Sequence, residues 1–184
     1  MAKAVTKQDF LFDLRAKIKE HCEVVTAVYH PLSLDQLTTQ PDPNEWNILQ
    51  CFDHLNLTYD YYEPKIQVGL VKPAAKDQTN DGYKPSFFGR IYMHFAFNPK
   101  YSFSAAAEMT PQTAVSRDAL AIYLNKQDHL LQTLAHVGEV NLAKTKTPIS
   151  PGVNFNLGDC LKILVYHDAL HFHQARGILN SLSS

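Results

Sequence analysis

Residues 161–179 read LKILVYHDALHFHQARGIL and hold three of the chain's nine histidines. On a helix, residues four apart stand one turn above each other and about 40° apart around the axis. The imidazoles of His167 and His171 therefore project side by side, close enough to reach one metal ion. Imidazole is a frequent ligand for zinc, nickel, iron and copper, so an HxxxH pair on one face offers two nitrogens to a single ion. The same spacing arises where two histidines pack at a bundle edge and bond to solvent or backbone, and spacing alone does not separate these cases. A tight site needs at least one further ligand. His173 is not that ligand, because two residues on from His171 it points roughly 200° away.

His54 is the leading candidate on another helix. It sits in EWNILQCFDHLNLTYDYY at the border of an apolar stripe, where periodicity alone reads it equally as a surface or a boundary residue. His21, His30, His94, His129 and His136 read as solvated or boundary residues. Cys51 and Cys160 share faces with the histidines and are placed to line a pocket, although a buried free cysteine more often acts as a small hydrophobe. Asp53 and Asp168 flank His54 and His167; each reads either as a carboxylate supporting a ligand imidazole or as an exposed helix acid. Nucleophilic-elbow chemistry is excluded, since no GxSxG occurs. The seven glycines are unclustered, which excludes a phosphate-cradling loop.

Four amphipathic patterns position these residues. Leu11, Leu14, Ile18, Cys22, Val25 and Tyr29 recur at helical spacing and predict a helix over 7–29, ended by Pro31. A turn-rich stretch with three prolines follows. Asn44 reads as the cap of a second helix over 45–66, in which Pro64 should kink or end the last turns. Residues 73–111 form an insertion of loop and short helix, the helix capped at Ser86. Thr110-Pro111 resembles a helix start, predicting a third helix over 112–137 along Val115, Ala119, Ile122, Leu130 and Leu134. Asn156 and Asp159 form a capping box for a fourth over 156–182. The fold class is all-α: a single domain over 1–184, a four-helix bundle with crossover connections. Its core should include Leu14, Ile18, Phe52, Leu55, Ile122, Leu134, Leu161 and Leu164.

Composition narrows the function classes. The chain has 184 residues, an apolar fraction of 45% and a net charge of -1, so no global field favours nucleic acid or an anionic surface. No apolar run approaches the ~18–20 residues that cross a bilayer. The N-terminal stretch has charges throughout and no signal region, and three cysteines without a CxxC point to unpaired thiols and a cytoplasmic location.

Together, W46-N-I-L-Q-C-F-D-H54-L and H167-D-A-L-H171-F-H-Q174 resemble the DinB-like superfamily. The order of elements along the whole chain resembles it too. The resemblance implies a helical bundle in which His54, His167 and His171 hold a divalent metal, with water or substrate in the remaining positions. It gives Gln174 a structural or outer-sphere role. Phe172 and His173 depart from the Arg and Gly that many members carry. Members include thiol-dependent transferases and isomerases, hydrolases and proteins with no known reaction, and the name implies no DNA contact.

The resulting expectation is a metal-dependent enzyme, a hydrolase or a thiol-dependent transferase. Its cofactor is zinc, nickel or iron, and its partners are a small-molecule substrate and in the second case a low-molecular-weight thiol. No nucleic acid or membrane partner is expected, and a homodimer is allowed. The alternative is a non-catalytic helical protein that binds a metal or small ligand and dimerises, with Phe87, Phe88, Tyr92 and Phe95 forming a lid, pocket wall or partner surface. An open ligand position favours the enzyme; a fourth protein ligand favours a structural site.

Overall fold

The computed structural model describes residues 5–71, 82–97, 105–137, 140–150 and 153–182. The chain is mostly helical. In order come α1 (Lys7–Val24), a π-helical turn (Val25–Tyr29), α2 (Leu34–Thr38), α3 (Ile48–Val71), α4 (Phe87–Ala96) and a 3-10 turn (Ala107–Met109). Then follow α5 (Asp118–Ala135), β1 (Lys146–Ser150), β2 (Val153–Asn156) and α6 (Leu157–Ser181). The long helices α1, α3, α5 and α6 form the bundle, with α3 packed on both α5 and α6.

Several boundaries differ from the expectation, each for a local reason. The second long helix starts at Ile48, because Asn47 and Gln50 cap each other: Gln50 N donates to Asn47 Oδ1 (2.8 Å) and Asn47 N to Gln50 Oε1 (3.0 Å). Asn44 instead bonds back to Asp42. The proline-rich stretch before it accommodates the short α2 behind a Ser33–Gln36 capping box. Pro64 does not end α3, which runs on to Val71. The proline is exposed while Tyr62, Ile66 and Gly69 are buried, so packing on both sides outweighs the missing hydrogen bond.

The Thr110-Pro111 signal starts no helix. Thr110 Oγ1 donates to Ala106 O (3.1 Å), closing the 3-10 turn, and α5 begins only at Asp118. The all-α bundle carries one small addition, a hairpin in which β1 and β2 pair antiparallel, Thr147 opposite Phe155. The hairpin is short and carries Pro148, so its alternation does not stand out in the sequence.

In the described part of the insertion, α4 is capped at Ser86 as expected. Asp159, fully buried at the start of α6, accepts from Tyr83 Oη (2.8 Å), Ser86 N (3.2 Å) and Asn156 N (3.2 Å). One carboxylate thereby caps α6 and anchors α4. Gly89 makes the approach possible, since a Cβ there would stand 2.3 Å from the Asp159 carboxylate. Phe87, Phe88, Ile91 and Phe95 of α4 remain exposed.

The core has two apolar clusters. One gathers Leu14, Ile18, Tyr62, Ile66, Leu130, Leu161 and Leu164, and the other Tyr29, Ile48, Phe52, Leu55, Tyr123 and Ala175. Between them a polar level crosses the bundle, with buried His21, His54, Asn56, Thr58, Gln127 and Asp168. Ile122 is not core; it is 45% exposed, and Leu120, Tyr123 and Gln127 face inward in its place. Leu161 is wholly enclosed. Leu161→Ala should lower unfolding free energy by ~2–5 kcal/mol in urea denaturation. A loss within ~0.5 kcal/mol, the range of surface substitutions, would place Leu161 outside the core.

Candidate metal centre

The polar level contains the histidines. α3 and α6 run antiparallel, so that His54 meets His167 and His171, while at the far end Gly69 lies against Leu157. His54 is 4% exposed, and the dyad beside it is half-buried. His54 Nε2 lies 2.9 Å from His167 Nε2, and His171 Nε2 lies 3.2 Å from the same atom. Among the described residues these three form a cluster able to hold a metal ion, and no cysteine, carboxylate or fourth histidine joins it.

The outer nitrogens settle which way the inner ones face. His54 Nδ1 stands 2.6 Å from Met109 O, and a carbonyl only accepts, so Nδ1 carries the proton and Nε2 presents a lone pair. His171 Nδ1 donates likewise to Gln174 Oε1 at 3.0 Å, leaving its Nε2 bare. Metal-bound imidazoles are held in this way, by an acceptor on the remote N–H that fixes tautomer and ring orientation. Three nitrogens at 2.0–2.1 Å from one zinc ion stand roughly 3.0–3.4 Å apart, and the observed separations fall close to that range. The residues therefore fit the ion.

Met109 belongs to a segment strapped across α3. Gln112 N donates to Asp53 Oδ2 (3.1 Å) and Gln50 Nε2 to Gln112 O (3.2 Å), which fixes the carbonyl that orients His54. Asp53 thus hydrogen-bonds the strap, and its charge only opposes the fall in the His54 pKa. Trp46 packs against two of the rings, its ring centroid 4.9 Å from that of His54 and 5.8 Å from that of His171. His173 is exposed, as its spacing predicts.

Asp168 is neither an exposed acid nor a partner of the ligand imidazoles. About 100° around α6 from His167, it accepts from Tyr123 Oη (2.6 Å) and Gln127 Nε2 (3.1 Å). His21 Nδ1 approaches it to 3.5 Å, an ion-pair distance. Burial pushes the Asp168 pKa up, opposed first by His21. His21 is therefore a buried residue of this level and not a boundary one. Sequence reasoning missed it, along with Tyr123, Gln127 and Met109; a histidine at the inward spacing between Ile18 and Val25 was the available signal. Cys22, Cys51 and Cys160 are unpaired, and burial lifts the Cys51 and Cys160 thiols to about 12, the inert behaviour of buried hydrophobes.

Burial lowers the pKa of all three clustered histidines. His171 falls to about 4, with His54 adding to the shift; His167 falls well below its ordinary value, with His171 and then His54 contributing; His54 falls against the opposing bond to Met109 O. All three are neutral at pH 7, the form that binds metal.

In metal-free protein the unfolded chain takes up protons below about pH 6.5 while the folded histidines resist them. Their contribution to stability is thus full above about 6.5 and is lost as pH falls towards about 4. Urea midpoints in chelator should fall over that window, and fall less in His171→Asn. Comparing the two cancels Asp168, whose raised pKa acts in the opposite direction. Parallel pH profiles would contradict the assignment.

A family model described as the DinB superfamily matches residues 18–175. No match was found among curated proteins or among solved structures. The matched span takes in all three clustered histidines and every long helix of the bundle except the first turns of α1 and the last turns of α6, and the chain belongs to the DinB superfamily.

Proposed function

We propose that this member of the DinB superfamily is a metal-dependent enzyme whose ion is held by His54, His167 and His171. The observation that supports it is the convergence of three Nε2 atoms at 2.9 and 3.2 Å, with two remote N–H groups already anchored. A zinc, nickel or iron ion there supplies a Lewis acid that acidifies a water or a thiol, the chemistry of a hydrolase or a thiol-dependent transferase.

The protein's own part is to hold the nitrogens neutral, aim them and restrict water. Burial does the first, the Met109 and Gln174 acceptors the second, and Trp46 over two of the rings contributes to the third. The absence of a fourth protein donor among the described residues supports an open, reactive site over a closed structural one. The dyad's partial exposure leaves a path for a small-molecule substrate, with a low-molecular-weight thiol as cosubstrate in the transferase case. No described helix is long and apolar enough to cross a membrane.

Trp46 is the chain's one tryptophan and lies over the site, so its fluorescence reports on it directly. Untagged protein titrated with nickel should quench that emission with one equivalent per chain. Alanine at His54, His167 or His171 should abolish the tight phase, whereas His173→Ala should leave it intact. Equal binding by His171→Ala and His173→Ala would refute the ligand assignment. Thiol-transfer and ester-hydrolysis assays on the zinc- and nickel-loaded protein then separate the two chemistries.

A further inference from the structure

Two of the three clustered imidazoles have their remote N–H held; the third does not. His167 Nδ1 is enclosed and has no hydrogen-bond partner. When its Nε2 faces an ion, the ring's proton must sit on Nδ1, and a buried donor left unmatched there weakens the site. Some acceptor should therefore lie within reach.

The polar level offers three buried acceptors without partners: Asn56 Oδ1, Thr58 Oγ1 and Gln127 Oε1. Asn56 has its amide turned to α5, donating to Ala119 O (3.0 Å). Gln127 is engaged with Asp168, on the other side of α6. Thr58 differs from both. It lies one turn beyond His54 on the same face of α3, and it is 3% exposed. Because the helices are antiparallel, with His54 at His167 and His171 and Gly69 at Leu157, Thr58 is level with the turn of α6 that ends at His167. Its hydroxyl does not make the usual bond to the carbonyl four residues back, leaving both donor and acceptor capacity unused beside the site.

We propose that Thr58 is the positioning residue for His167: its Oγ1 accepts the hydrogen bond of His167 Nδ1–H, with at most one water between them. Each ligand histidine then has its own outer anchor: Met109 for His54, Gln174 for His171 and Thr58 for His167. The inference rests on the metal reading above, and the experiment keeps the two apart.

Zinc affinity is measured by competition with a chromophoric chelator in wild type, Thr58→Val and Thr58→Ser, and urea stability of each is measured in chelator. Valine matches threonine in shape and removes the hydroxyl, and with it the acceptor. Zinc affinity should fall roughly 10–100-fold in Thr58→Val, the usual effect of losing an outer partner, and stay within about threefold of wild type in Thr58→Ser. Metal-free Thr58→Val should be no less stable than wild type, since an unmatched buried hydroxyl has been removed. Unchanged zinc affinity in Thr58→Val overturns the proposal while leaving the three-histidine site standing. Parallel losses of affinity and metal-free stability overturn it in favour of a packing role. If wild type itself binds no zinc, the metal reading fails and this inference with it.

Discussion

His167 Nε2 stands 2.9 Å from His54 Nε2 and 3.2 Å from His171 Nε2, and nitrogen lone pairs turned inward at such distances need a proton or an ion between them. Burial holds all three histidines neutral at pH 7, so in the metal-free protein the proton between them is the single Nε2–H of neutral His167, facing the bare Nε2 atoms of His54 and His171. The rings of His54 and His171 are not free to turn away, because Met109 O and Gln174 Oε1 engage their outer nitrogens and keep their Nε2 lone pairs facing inward. Such a level in the middle of a core costs stability where a buried polar atom goes unmatched, as His167 Nδ1 does. The rest of the architecture is organised around keeping that arrangement.

α6 carries most of the burden, because two neighbouring residues use different faces of it, about 100° apart. His167 faces α3, and Asp168 faces α1 and α5, where Tyr123, Gln127 and His21 hold its carboxylate. A rotation of α6 that withdrew the dyad would also drag a buried carboxylate from its donors, so the polar contacts on one side fix the aim on the other. Apolar clusters above and below the level supply cohesion and leave the specificity to hydrogen bonds. Towards the hairpin, Asp159 performs a comparable double duty, capping α6 and anchoring α4.

Much of this was legible in the sequence, and the losses have a common cause. The helical periods and the Asn156–Asp159 cap located α6, and the i, i+4 spacing of His167 and His171 gave their shared face. The border position of His54 stayed ambiguous, since a polar residue at a stripe's edge is buried only when a partner waits there. The same blindness displaced the α5 stripe: Ile122 looked like core and is exposed, while Tyr123 and Gln127 point inward because Asp168 binds them. His21 was hidden for that reason too. Periodicity reads apolar faces, and a polar level inside a bundle is written in pairings between helices that no single helix displays. Met109 lay further out of reach, because its role is that of a backbone carbonyl.

X-ray absorption at the metal edge of the zinc-loaded protein tests the central claim most directly. The expected first shell is nitrogen and oxygen at ~2.0–2.1 Å, with the multiple-scattering signature of about three imidazoles and no sulfur. A sulfur shell near ~2.3 Å would bring Cys51 or Cys160 into the site, and a shell with one imidazole or none would show that the three histidines do not share an ion. Either result would contradict the account.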